Sequence, residues 1–217
     1  GCTDSTAINF DPLANHDDSS CTYQIMTYVP DDNFEQALIN LGYDDVLDDS
    51  VLTSNINTIT ILHVNHLGIH SLTGIEDFTS LIDLKCNNNS ITSLDLSNNI
   101  ALESFVCYFN HIDTLDLSNN TSLISLDCQS NNLTSLDISS NNALIYLTCR
   151  NNDLENLDIT NNPFLTLLDC LGNDLTSIDL NNNTALNTIN ANFNLLTSLD
   201  LSNANNLTHL HLQNNSF

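Results

Sequence analysis

The stretch Leu123-Ile-Ser-Leu126-Asp-Cys128-Gln-Ser-Asn131-Asn-Leu133-Thr-Ser-Leu136-Asp-Ile138-Ser-Ser-Asn141-Asn-Ala143 decides the fold. It is one copy of a unit that repeats along most of the chain. The leading apolar residue returns at Leu81, Leu102, Leu123, Leu144, Leu165, Leu186 and Leu207, always 21 residues apart, and a weaker copy begins at Ile59, 22 before Leu81. A fixed period of this size predicts a stacked array in which no single unit can bury its own apolar face. Leu126 and Cys128 lie two apart, so they share the inner face of a short strand. An asparagine follows at Asn89, Asn110, Asn131, Asn152, Asn173, Asn194 and Asn215, where its amide can satisfy backbone groups that a turn leaves unpaired. The first copy carries Leu67 there.

The unit fits the pattern L-x-x-L-x-L-x-x-N-x-L and resembles a leucine-rich repeat over residues 59–217. The return legs Leu94-Asp-Leu96, Leu115-Asp-Leu117, Leu136-Asp-Ile138, Leu157-Asp-Ile159, Ile178-Asp-Leu180 and Leu199-Asp-Leu201 alternate with strand period. The expectation is a mainly β solenoid of about eight repeats: a parallel front sheet, short return strands making a flat second sheet, and an N-terminal helical cap.

Charge narrows the function. Among 217 residues, 27 acids stand against 2 bases, a net charge of −25. Nucleic acid and anionic membrane both require clustered Lys and Arg, so neither is expected as a partner. No apolar run is long enough to span a bilayer, and no signal peptide opens the chain. Starting at Gly1-Cys2 and ending at Phe217 midway through a repeat, it reads as a piece of a longer protein with further domains.

The seven cysteines form two groups. Cys86, Cys107, Cys128, Cys149 and Cys170 recur every 21 residues and point the same way from parallel strands. Tetrahedral zinc needs converging ligands, so a ladder of small buried hydrophobes is the better reading. A cysteine-bearing repeat of this length is similar to that of internalin J-like bacterial adhesins, which implies adhesion.

Residues 1–23 form an acidic, loop-rich segment. Gly1-Cys2-Thr3-Asp4, Asn9-Phe10 and Asp17-Asp18-Ser19-Ser20-Cys21 resemble the thrombospondin-type-3-like modules of secreted Bacteroidota-type surface proteins. Ser19 departs from the glycine usual in that pattern. The resemblance implies a Cys2–Cys21 disulfide, an oxidising location outside the cell and type IX secretion. A bridge closing so small a loop is worth roughly 3 kcal/mol. Asp4, Asp11, Asp17 and Asp18 can supply oxygens to a calcium ion, a role that leans on the same resemblance; solvated acidic turns are the alternative.

Residues 24–58 are expected to cap the array. Asp32-Asn-Phe-Glu35 fits a capping box, Phe34, Ala37, Leu38 and Leu41 fall on one helical face, and Gly42 stops the helix. The acidic loop Asp44-Asp-Val-Leu-Asp48-Asp49 is read as solvated, or as a second cation site.

The front face is the expected ligand-binding surface. Its outward columns vary where the return legs are monotonous, which is how a solenoid presents a recognition surface. Both bases, Lys85 and Arg150, fall there, with Tyr108, Phe109, Tyr146 and Phe193. Aromatic residues and Arg are favoured contact residues. Asp95, Asp116, Asp137, Asp158, Asp179 and Asp200 make an outward ladder on the return legs, read as solvated turn-formers or a weak cation strip. His209 and His211 share the front face without an evident third metal ligand. Ser5, Ser50 and Thr114 sit in short matches to a Bacteroidota-type O-glycosylation pattern. No nucleophile–base pair or phosphate loop appears, so no enzyme is expected. The sequence therefore reads as an extracellular or cell-surface module that adheres to a protein or polysaccharide, with a stalk or spacer segment as the alternative.

Overall fold

The computed structural model describes residues 1–217. Eight three-residue strands, β3 (Ile61–His63), β4 (Asp83–Lys85), β5 (Ser104–Val106), β6 (Ser125–Asp127), β7 (Tyr146–Thr148), β8 (Leu167–Asp169), β9 (Thr188–Asn190) and β10 (His209–His211), follow one another in a single parallel sheet. Their register is unbroken: Phe105 faces Leu126, Leu126 faces Leu147, and Leu147 faces Leu168. Each central residue from β3 to β9 is buried and the flanking residues face outward, as period-two alternation demands.

Behind this sheet the ladder positions stack. Cys86, Cys107, Cys128, Cys149 and Cys170 are free and buried, with Val64 and Ala191 buried at the equivalent places beside them. Burial pushes the thiols of Cys86, Cys128 and Cys170 up to about 12, so at neutral pH they are inert fillers rather than thiolates.

The asparagines hold adjacent turns together. Asn131 Nδ2 donates to the carbonyls of Cys107 and Cys128, one on each of two turns, and Asn131 Oδ1 accepts the Ile112 N–H at 3.1 Å. Asn110, Asn152, Asn173 and Asn194 repeat the pattern. A second column, not singled out in the sequence, runs down the opposite side. Asn99, Asn120, Asn141, Asn162 and Asn183 each donate to two carbonyls across neighbouring turns.

The expected return sheet does not form: no strand is present between the front strands. The return legs do alternate in exposure, but their backbone groups are satisfied locally. Asp95, Asp116, Asp137, Asp158, Asp179 and Asp200 each accept the N–H two residues on. Such turns compete with a ladder for the same backbone donors. The Ser or Thr two residues on hydrogen-bonds the carboxyl groups of Asp95, Asp116, Asp137, Asp158 and Asp200 and holds them below the ordinary carboxylate range.

The N-terminal end is covered as the solenoid requires, with differences in detail. Helix α1 spans Asp32–Leu41, and its cap is Asp31, not Asp32. Asp31 Oδ1 accepts from Asn33 and Phe34, while its Oδ2 accepts from His70 and Ser71 and so pins the helix to the first turn. Glu35 does not complete a capping box; it turns inward to the loop after the helix. Phe34, Ala37 and Leu38 are buried, but Leu41 is 47% exposed on the last turn. Gly42 ends the helix in the left-handed region as expected. An antiparallel pair, β1 (Met26–Tyr28) and β2 (Ser50–Leu52), and a short helix α2 (Thr53–Ile56) complete the cap. Gly74 passes so close that a Cβ there would lie 2.8 Å from the Tyr28 carbonyl.

Two measurements test this scaffold. Asn131→Ala strands the Ile112 N–H and two carbonyls in the core, so chemical denaturation should show a loss of roughly 3 kcal/mol. Intact-mass alkylation at pH 8 should label almost no cysteine in the native chain and the five ladder thiols after unfolding.

Candidate interaction face

The front face is the exposed side of the eight-stranded sheet, and the strand register fixes where its candidates stand. Tyr108 and Phe109 follow β5, Tyr146 lies on β7, Arg150 follows β7, and Phe193 follows β9. Lys85 and Arg150 belong to repeats three strands apart, about 14 Å at ordinary strand spacing. The candidates therefore share a face but do not converge on one point.

The two bases are engaged within the chain. Arg150 is ion-paired with Asp169 Oδ2, which also accepts from Asn190 Nδ2 at 3.3 Å. Next to them, Asp127 accepts from Gln129 Nε2 at 3.1 Å. Burial raises the Asp127 carboxyl above its ordinary value, while the Arg150 charge acts the other way. Asp127, Gln129, Arg150, Asp169 and Asn190 thus form a polar row across β6 to β9. Lys85 lies 3.8 Å from Asp83 Oδ2, which also meets His63 Nε2 at 3.1 Å. Asp83 and Lys85 share one strand, two residues apart, so spacing puts that pair on one face, whereas Arg150 and Asp169 sit in different repeats and only the register brings them together.

Three of the four aromatics are well exposed. Phe109 is 56% exposed, Phe193 57% and Tyr146 49%. Tyr108 meets Phe109 edge-on, with centroids 5.6 Å apart. Phe109 and Phe193 occupy the same repeat position, immediately before the ladder asparagine. The backbone there is left-handed in every turn: His66, Asn88, Phe109, Ser130, Asn151, Gly172, Phe193 and Asn214 all have positive φ. Asparagine and glycine adopt this conformation at little cost, whereas a bulky side chain does so under strain. Phe109, at φ 51, and Phe193, at φ 54, bear that strain and still point into solvent.

At the N-terminus, the Cys2–Cys21 disulfide is formed. The four acids expected to hold calcium are taken up separately. Asp4 accepts from Thr6 and Tyr23, Asp11 from Leu13, Asp17 from Ser19, and Asp18 from Ser20 and the terminal amine. No three His, Cys, Asp or Glu side chains come together there, around His209 and His211, or elsewhere as a group that could hold a metal. Ser5 and Thr114 are exposed, whereas Ser50 is half-buried in β2 with its hydroxyl on Asp48.

Comparison with known proteins supports the architecture. The solved functional domain of InlJ from Listeria monocytogenes, which includes a cysteine ladder, superposes with a TM-score of 0.82 at 36% identity, covering 88% of this chain and 44% of that one. This chain is a leucine-rich-repeat solenoid. In sequence, internalin J of Listeria monocytogenes serotype 4b (strain F2365) is 36% identical over 78 residues, which are 36% of this chain and 8% of that protein. Internalin C2 of Listeria monocytogenes superposes with a TM-score of 0.74 over 90% of this chain and 92% of that one, at 23% identity, a likeness of fold alone. The chain thus spans less than half of the InlJ domain, with which it shares both repeat and cysteine ladder. No family model matches the sequence. No helix is long and apolar enough to cross a membrane.

The Arg150–Asp169 pair carries a testable consequence. Asp169 is buried and Arg150 is its half-exposed cationic partner, so Arg150→Ala should cost about 1–2 kcal/mol in a denaturant melt, between the values of exposed and buried pairs. Adding Asp169→Asn should recover part of that loss.

Proposed function

We propose that the chain is an extracellular recognition module that binds a protein partner through its front face. The observation that carries this is the pair of exposed phenylalanines held in a left-handed backbone. Strain kept at a position where glycine or asparagine would serve better points to a role in contact. Phe109, Tyr108, Tyr146 and Phe193 supply rigid apolar anchors, and the row from Asp127 to Asn190 supplies fixed polar groups between them. Phe109 and Phe193 stand four strands apart, about 19 Å, a separation suited to an extended protein surface. With a net charge of −25, the module favours a partner of basic character and attracts it at long range. Lys85 and Arg150 shape the face rather than serve as free cations.

The disulfide at residues 2 and 21 and the dense acidic surface support a place outside the cell. The N-terminal resemblance supports type IX export and display on a bacterial surface. Adhesion is the biological role this reading favours.

The test separates recognition from scaffold. Phe109→Asn and Phe193→Asn replace strained residues with ones suited to the same backbone, so each variant should melt at or above the wild-type temperature. A binding screen of the fragment against host and bacterial surface proteins, with glycans alongside, should give a protein partner. The double Asn variant should bind it at least about tenfold more weakly. Unchanged affinity in that variant would sink the anchor role. A hit confined to glycans would replace the protein partner with a polysaccharide, and a blank screen would favour a spacer.

A further inference from the structure

The cap contains a buried carboxylate that no basic side chain pairs with. Glu35, in the first turn of α1, is fully buried. Its Oε1 accepts the N–H groups of Asp48 and Ser50 at 2.9 and 3.0 Å, so the carboxylate is aimed into the loop that joins α1 to β2. Its Oε2 is buried and has no partner. The loop itself carries Asp44, Asp45, Asp48 and Asp49, and Asp44 Oδ2 is also buried and unpartnered. No basic side chain is paired with either residue: the ion pairs of Lys85 and Arg150 are with Asp83 and Asp169 on the front face.

Orphaned oxygens of this kind are costly. A buried carboxylate needs both hydrogen bonds and a counter-charge. Water would give the first and not the second. We propose that Glu35 and Asp44 together bind a hard divalent cation, Ca2+ or Mg2+, which fastens the residue 43–49 loop onto α1. The two carboxylates are the protein anchors, and loop carbonyls and water complete the shell, as hard cations accept. Burial, followed by the charges of Glu35, Asp48 and Asp45, raises the Asp44 carboxyl, and a cation would relieve each of these effects. The bound ion would stiffen the end of the solenoid that α1 closes.

The test uses the full chain, freed of metal with chelator and then given CaCl2 or MgCl2. At least one ion should raise the melting temperature by about 5 °C in a saturable way. Tyr43, beside Asp44, should also sensitise luminescence of bound Tb3+. Glu35→Gln keeps the Oε1 acceptor, and Asp44→Asn is a second variant should the first fold poorly. Either should abolish the thermal gain, whereas Asp4→Asn and Asp18→Asn in the N-terminal module should keep it. The site is rejected if neither ion stabilises the wild type. It is rejected equally if the gain survives in both cap variants. Stabilisation by mild acid alone, without response to either ion, would assign the charge to a shared proton and overturn the cation.

Discussion

Everything in the array depends on one amide. The ladder asparagine meets three backbone groups at once, two carbonyls on adjacent turns and one N–H across the turn. Its reach fixes the distance between turns, and its place in the sequence fixes the number of residues per turn. A turn longer or shorter by one residue would present its amide to the wrong carbonyls and leave the buried groups unpaired. The second column, from Asn99 to Asn183, applies the same rule on the other side. Its side-chain oxygens are buried without partners, so here the donors are matched and the acceptors are not. The repeat period is therefore a hydrogen-bonding constraint before it is a packing one.

That constraint divides the residues by freedom. Inner leucines, cysteines and asparagines answer to the core. The return-leg aspartates answer to their own turns. The outward columns of the front sheet are released, and there the sequence places Tyr108, Phe109, Tyr146 and Phe193, its two bases and a polar row. The placement of Phe109 and Phe193 goes further, since they occupy a backbone position that local energetics would give to glycine or asparagine. At Gly172 the same position is so crowded that a Cβ would lie 2.5 Å from Asn151 Oδ1.

Much of this was legible in the sequence, and the rest was hidden for definable reasons. The 21-residue period set the strand register, and the two-residue spacing of Leu126 and Cys128 set the inner face. The return legs misled, because alternation reports which side a residue faces and not whether the backbone pairs with a neighbour. Aspartate two residues before a serine was the signal for local turns. In the cap, the sequence pattern puts the helix start at Asp32, whereas Asp31 caps it through Asn33 and Phe34 and also reaches His70 and Ser71. Glu35 reads as the second half of a capping box because its spacing from Asp32 fits one, and nothing in the local sequence shows that it turns to the loop instead. Arg150 looked like a free base because its partner Asp169 comes beside it only once the sheet is folded, whereas Asp83, two residues before Lys85 on the same strand, was already placed by strand alternation. The left-handed position before each ladder asparagine was also readable, from its run of Asn, Ser and Gly, but only to an eye looking for the residues that do not belong there.

One strand per turn also makes the front face a graduated ruler. Contacts on different turns can be separated only by whole numbers of strand spacings, each about 4.8 Å. Gain or loss of one 21-residue unit between Phe109 and Phe193 would shift their separation by one graduation and leave every other turn as it was. A lineage carrying this repeat could thus retune the span of its grip by recombination, in discrete steps, without redesigning a single side chain.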